Sequence, residues 1–269
     1  MTGLAFEPAI ATDARGMIID ALTQVEADHG VRILFAIESG SRAWGFPSPD
    51  SDYDVRFVYT HPLDWYLSLQ PGRDVIELPI SGDLDINGWD LRKALNLLLK
   101  PNPVMLEWLS SPIRYVWRDT AAAELTALAD KTAHGPACLH HYLNLGEAQW
   151  RKHIAGKTEV NYKKYFYALR PAMAIRWVRL NPDAPPPMNI QTMAARLDLA
   201  PQTARAIADL VAMKAQARET GEGGRIAELD ALIEAEFDWA RQQTPKSVKP
   251  DLAGEADALF RRLVREGAP

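Results

Sequence analysis

Strand-forming runs crowd the first 118 residues and almost vanish afterwards, and no other feature of this 269-residue sequence restricts its fold as strongly. The runs "VRILFAI" (31–37), "YDVRFVYT" (53–60), "RDVIELPI" (73–80), "GDLDIN" (82–87) and "IRYVW" (113–117) carry the β-branched and aromatic content of strands. The first two are expected to pair, and Ser81-Gly82 fits a hairpin turn. Residues 13–28 place Ile18, Leu22 and Val25 at helical spacing, with His29-Gly30 as a stop, and shorter helices are predicted over 90–99 and 103–109. From residue 119 onward the segments 119–130, 136–156, 160–180, 189–197, 202–218, 224–242 and 251–266 all read as helices, separated by loops such as "NPDAPPPMN" and "TGEGG". The pattern predicts an α+β N-terminal domain over residues 1–118, followed by an all-helical domain over 119–269.

Composition excludes several classes. A chain of this length with 47% hydrophobic residues can bury a large core, so disorder is not expected. The single cysteine, Cys138, cannot form an internal disulfide and fits a reducing compartment. No basic stretch followed by an apolar run opens the sequence, and no window offers about 18 uncharged apolar residues, so a soluble, cytoplasmic protein without a membrane association is expected. The formal net charge of -5 argues against wholesale binding to a polyanion. Residues 131–180, however, carry nine basic side chains against Glu147 and Glu159, a net +7. That local surplus points to a phosphate-bearing ligand, with a solvated helix face as the alternative.

Chemistry concentrates in "ESGSRAWGFPSPDSDYDVRFVY", residues 38–59. Residues i and i+2 of a strand share a face, so Asp52 and Asp54 can present two carboxylates side by side. Such a pair needs a cation between its charges, and magnesium takes hard oxygen ligands of this kind together with substrate phosphate. The Gly40-Ser41 turn offers backbone N–H groups and a hydroxyl to a terminal phosphate, and Arg42 could pair with the same group. A bland alternative makes residues 50–52 a polar turn and Asp54 an exposed strand residue; the full G-S-x10-D-x-D spacing between two strands weighs against it.

The stretch "GSRAWGFPSPDSDYDVRFVY" resembles the signature of the DNA polymerase beta superfamily of nucleotidyltransferases. More closely, "GWDLRKALNLLLKPNPVMLEWLSSPIRY" and "NYKKYFYALRPAMAIRWV" resemble the RlaP-type predicted nucleotidyltransferases, a bacterial and phage family associated with RNA repair. The resemblance spans roughly residues 32–180. It implies a nucleotidyltransferase fold with a mixed sheet, and transfer of a nucleotidyl group from a nucleoside triphosphate with release of pyrophosphate. It also implies a two-metal magnesium site, with manganese as an alternative, and a third carboxylate on a neighbouring strand. Asp85, flanked by Leu84 and Ile86, is favoured for that place over Asp83 and Asp90, the last being more simply a helix N-cap. In the implied mechanism Asp52 and Asp54 hold the metals and Asp85 positions or deprotonates the acceptor hydroxyl.

At helical spacing Lys163, Tyr167 and Arg170 share a face that could bring two cations and a ring toward a nucleotide, with Lys164 beside it as a substitute, and the resemblance of "KKYFYALRP" strengthens that reading. Their alternative reading is an ordinary core stripe of Tyr165, Phe166 and Leu169 with lysines reaching outward. Pro171 is expected to kink or restart that helix. Trp44 suits either stacking on a base or anchoring its loop. His140 and His141 are adjacent on a helix and make a poor metal pair. An RNA end is the acceptor that the resemblance suggests. An enzyme that adds AMP to a partner protein, in the manner of minimal antitoxins, and a non-catalytic nucleotide- or RNA-binding regulator are the alternatives.

Overall fold

The computed structural model describes residues 5–8, 10–70, 72–132, 134–216, 221–243 and 250–266. Two compact units emerge. One comprises Pro8–Ala43, Asp52–Thr132 and Lys249–Pro269; the other comprises Met1–Glu7, Trp44–Ser51 and Ala133–Val248.

The first unit is built on a sheet. Helix α1 (Thr12–His29) buries Ala14, Ile18, Leu22 and Val25 and ends where Gly30 adopts the left-handed conformation that a Cβ disfavours. Strand β1 (Arg32–Glu38) follows, then the single helical turn α2 (Gly40–Trp44), which opens at the expected Gly40-Ser41 turn. Next come β2 (Tyr53–Thr60), α3 (Leu63–Leu67), β3 (Val75–Glu77), β4 (Leu84–Asp90), α4 (Leu91–Leu98), α5 (Pro103–Leu109), β5 (Arg114–Trp117) and α6 (Asp119–Asp130). The strands form one mixed sheet in the order β3-β4-β2-β1-β5. Only β2 and β4 run parallel, in a register that sets Asp54 against Asp85 and Arg56 against Asn87. Residues Ile33 to Ile37 of β1 are almost completely inaccessible, as suits a strand covered on both faces.

The division between the units differs from a cut at residue 118. Helix α6 packs against β1 and α5. The C-terminal helix, labelled α12 below (Ala253–Glu266), packs against α4 and α6, with ion pairs Lys131–Glu255 and Arg262–Glu124 across the contact. Both belong to the sheet unit through their buried apolar faces, Ala121, Ala122, Leu125 and Leu128 of α6 and Ala256, Leu259, Leu263 and Val264 of α12, the latter packed on α4 and α6.

The second unit contains α7 (His134–His153), β6 (Glu159–Asn161), α8 (Tyr162–Leu180), α9 (Ile190–Arg196), α10 (Pro201–Gln216), β7 (Glu222–Gly224) and α11 (Ala227–Arg241), which precede α12 in the chain. Strands β6 and β7 pair as a small antiparallel ribbon that the composition did not announce, because Gly223 and Gly224 read as loop. Residues 217 and 218, included in a predicted helix, lie outside the described residues. Helix α8 continues through Pro171 instead of restarting there. The reason is packing: Pro171 and the residues around it are buried, and its ring lies against Gly146 of α7.

Gly146 permits that approach. A Cβ on it would lie 2.5 Å from Cζ of Phe237 and 2.9 Å from Cβ of Pro171, and Phe237 is itself buried. Gly146→Ala gains about 1 kcal/mol of helix propensity but overpacks a rigid contact at a cost of about 1–3 kcal/mol. Overpacking wins, so urea denaturation is expected to give a lower midpoint for Gly146→Ala with an unchanged slope.

Candidate active site

In the sheet unit the site is assembled by strand register. Gly40 has a φ of 58°, and a Cβ there would sit 1.8 Å from Oδ2 of Asp54. Only glycine lets the carboxylate lie against the backbone at this point. Across the parallel ladder Asp54 faces Asp85, and between them lies Arg56, two residues further along β2 and therefore on the same face. One guanidinium nitrogen, Nη2, donates to Oδ1 of Asp54 at 3.1 Å and to Oδ2 of Asp85 at 2.7 Å. The other, Nη1, donates to the carbonyls of Val55 at 3.0 Å and Asp85 at 2.8 Å.

Behind this pair stands Glu38, the last residue of β1 and fully buried. Its carboxyl accepts the backbone N–H of Asp54 at 2.9 Å and the hydroxyl of Tyr115 at 2.5 Å. Burial pushes Glu38 up to about 7, against the opposing pull of those two hydrogen bonds. Burial also raises the Asp54 carboxyl; Arg56 opposes the shift, and the charges of Asp85 and Asp52 add to it. Asp52 itself is exposed just before β2.

Of the three candidates for a third carboxylate, Asp85 is the one set opposite Asp54. Asp83 is exposed, and its carbonyl accepts the N–H of Tyr53. Asp90 is buried as the N-cap of α4, accepting from the Arg92 N–H at 2.8 Å and from the Tyr66 hydroxyl at 2.6 Å. Arg42 is buried, donates through Nε to the Asp52 carbonyl at 3.1 Å and lies 4.0 Å over the Tyr53 ring. Ser41 is half-buried in the same turn.

The helical unit gathers the cations. Lys163 is exposed near the start of α8, Lys164 lies 5.3 Å from the centre of the Tyr167 ring, and Tyr167 meets Trp44 edge-on at 6.4 Å. Arg170 is buried, placing its guanidinium 4.9 Å over Trp44 while Nε donates to the Met188 carbonyl at 3.0 Å. Thus the predicted set falls into two groups, Gly40, Ser41, Arg42, Asp52, Asp54 and Asp85 in one unit and Lys163, Lys164, Tyr167 and Arg170 in the other.

The segment 44–51 packs within the helical unit. Gln191 donates to the carbonyl of Gly45, whose φ of 87° requires glycine. Phe46 stacks on Phe166 at 4.2 Å, and its carbonyl accepts from Nζ of Lys214 at 2.6 Å. Lys214 is 1% exposed; burial first, and then the charge of Lys163, hold its pKa down at about 8 against the opposing pull of Asp50.

Arg56, Glu38, Gln191 and Lys214 were not singled out from the sequence. Two of them left a signal. Arg56 shares the period-2 face of Asp54, and Lys214 continues the buried stripe Thr203, Ile207, Leu210 of α10 at helical spacing.

The profile of the RlaP family, described as the RNA repair pathway DNA polymerase beta family, matches residues 14–262. The chain belongs to the RlaP family. This places it in the polymerase-beta superfamily of nucleotidyltransferases, within a family associated with RNA repair. The RlaP chain is 40% identical over 251 residues to the "Uncharacterized protein YcgL" of Bacillus subtilis (strain 168), covering 93% of this chain and 96% of that one. Among solved structures it is similar to a nucleotidyltransferase-like protein from Exiguobacterium sibiricum 255-15, with 12% identity, a TM-score of 0.30 and coverage of 93% and 92% of the two chains. Among its described residues no helix is long and apolar enough to cross a membrane, and no three His, Cys, Asp or Glu side chains already form a metal-ligand group.

The folded pKa of Lys214 lies below its ordinary 10.5, so the folded protein binds fewer protons than the unfolded chain between about 8 and 10.5. Its contribution is therefore a penalty at neutral pH that is relieved as pH rises, by about 3 kcal/mol at full development. Lys214→Met is expected to flatten the rise in stability between pH 8 and 10, measured as the difference in urea midpoints from the parent protein.

Proposed function

We propose that this RlaP-family protein transfers a nucleoside monophosphate from a nucleoside triphosphate to an acceptor hydroxyl, with an RNA end as the acceptor. The observation that supports this reading best is the register of β2 and β4, which sets Asp54 opposite Asp85, with Asp52 just before β2 and Gly40 pressed against the Asp54 carboxylate. The acceptor oxygen attacks the α-phosphorus, the bond from that phosphorus to the bridging oxygen breaks, and pyrophosphate departs. The hydroxyl proton passes to a carboxylate, for which we assign Asp85. No covalent protein nucleophile is needed, because such chemistry depends on positioning and charge neutralisation.

The donor set fits magnesium, with manganese as an alternative. Asp54 and Asp85 are hard oxygen donors that already converge on one cation, the guanidinium of Arg56. Asp52, Asp54 and Asp85 would hold the metal, which when bound neutralises triphosphate charge and acidifies the acceptor hydroxyl. Within this reading Ser41 binds phosphate, Arg42 holds the Asp52 backbone in place, and Lys163 and Lys164 supply further phosphate contacts. Tyr167 and Trp44 present aromatic faces suited to a base.

A non-catalytic, nucleotide-binding reading has one observation in its favour: Arg56 already occupies the gap between the carboxylates and cancels one of their two charges. Transfer of label from an α-phosphate-labelled triphosphate to RNA or protein separates the two. Asp54→Asn keeps the volume and removes the charge, and is expected to lower transfer by at least about 100-fold while leaving the circular dichroism spectrum unchanged. Full transfer by Asp54→Asn would overturn the assignment, and label appearing on protein in place of RNA would favour the AMP-adding alternative.

The acceptor is tested through α8. If Lys163 and Lys164 contact single-stranded RNA, replacing both by alanine lowers the logarithmic salt slope of RNA binding by about 1.4, at about 0.7 per phosphate contact. Binding titrations at several salt concentrations measure this. An unchanged RNA slope with weakened triphosphate binding would assign both lysines to the nucleotide.

A further inference from the structure

The place between Asp54 and Asp85 is held by a side chain of the protein's own. Arg56 reaches it as a fork whose one nitrogen bridges both carboxylates and whose other nitrogen is fixed by the Val55 and Asp85 carbonyls. Four acceptors on two strands hold this guanidinium, which is only 15% exposed. Asp54 is engaged through Oδ1 alone, whereas its Oδ2 lies on the side of Gly40. Asp85 has its side-chain Oδ2 and its backbone carbonyl both committed to Arg56. Each carboxylate therefore has one oxygen committed to the clasp, and the grip on Asp85 is the shorter, 2.7 Å against 3.1 Å.

We infer that Arg56 is a built-in stand-in cation, which withholds Asp85 from a divalent metal until a nucleotide draws the guanidinium away. The inference rests on the nucleotidyltransferase reading of the same carboxylates and adds a positioning residue to it. Its physical basis is charge competition. A monovalent guanidinium and a divalent ion cannot share one gap between two carboxylates without strong mutual repulsion. Guanidinium groups pair well with phosphate oxygens through the same two-pronged donors that grip a carboxylate, so a triphosphate offers Arg56 an alternative anionic partner. In the empty protein the clasp cancels one of the two negative charges and keeps the facing carboxylates from repelling one another.

Four consequences are measurable without catalysis. Titration of Mn2+ followed by electron paramagnetic resonance, without nucleotide, is expected to show at least about tenfold tighter binding to Arg56→Gln than to the parent, the equivalent of releasing one charge-assisted pair. Arg56→Lys replaces the fork by a single donor centre and is expected to gain about threefold, which keeps the test open if the glutamine variant folds poorly. Thermal melting of Arg56→Gln should rise with millimolar Mn2+ while the parent's stays constant. Adding Asp85→Asn to Arg56→Gln should erase the gain.

With a non-hydrolysable triphosphate analogue present, the parent should bind Mn2+ nearly as tightly as Arg56→Gln. Parent protein that binds Mn2+ with the analogue, beside Arg56 variants that gain nothing without it, overturns the inference alone. A gain that survives Asp85→Asn also overturns it, because the released ligand would not be Asp85. Absence of Mn2+ binding by the parent even with the analogue overturns both the inference and the nucleotidyltransferase reading.

Discussion

Two carboxylates set face to face on neighbouring strands repel, and the sheet tolerates Asp54 and Asp85 at that spacing because a guanidinium lies between them. The surroundings follow from this pairing. Gly40 lacks a side chain where the Asp54 carboxylate presses on the backbone, and Glu38 sits behind with its carboxyl pushed up to about 7 by burial. A third permanent negative charge at that depth would add to the repulsion. The hydrogen bonds to Glu38 from the Asp54 backbone and from Tyr115 keep its oxygens satisfied. The cluster is thus anionic in composition but restrained in net charge.

The segment joining the glycine turn to the aspartate strand is held just as firmly. Its residues 44–51 are anchored by Gln191, Phe166 and the buried ammonium of Lys214. Burying a lysine costs stability near neutral pH, and the carbonyl of Phe46 and the two flanking rings offset only part of that cost. A hydrophobic side chain would fill the space with no such charge penalty. A lysine there supplies what leucine cannot, a directional bond to one carbonyl of the loop, which fixes the path of the chain between Trp44 and Asp52.

Much of this was legible in the sequence, for reasons that differ from residue to residue. Asp54 and Asp85 could be placed on strands because a strand's two-residue period is a local property, whereas Asp52, expected on the same strand as Asp54, lies just before β2. The pairing of β2 with β4 is not local, so Asp85 could only be favoured over Asp83 and Asp90 until the register showed which of them faces Asp54. Arg56 obeys the same period yet reads as an ordinary strand residue, since a lone arginine carries no mark of what it will bridge. The ribbon β6-β7 was missed because its glycines signal loops, while its pairing depends on segments about sixty residues apart. The assignment of α6 and α12 to the sheet unit was hidden likewise: helical periodicity shows that a face is buried and is silent about what buries it.

The parallel register of β2 and β4 also governs how this protein can diverge. Asp54 meets Asp85 only in one alignment; sliding either strand by one residue sets Asp54 against Leu84 or Ile86 and turns Asp85 to the opposite face. Insertions or deletions inside either strand are therefore closed to any lineage that keeps the site. Within the connection between them only β3, itself paired with β4, is restricted in this way; the loops around it do not enter the alignment of Asp54 with Asp85. Homologues can be expected to vary freely in the size of that crossover while its two ends stay fixed to the residue, and grafting a longer segment there offers a route to new specificity that leaves the carboxylates where they are.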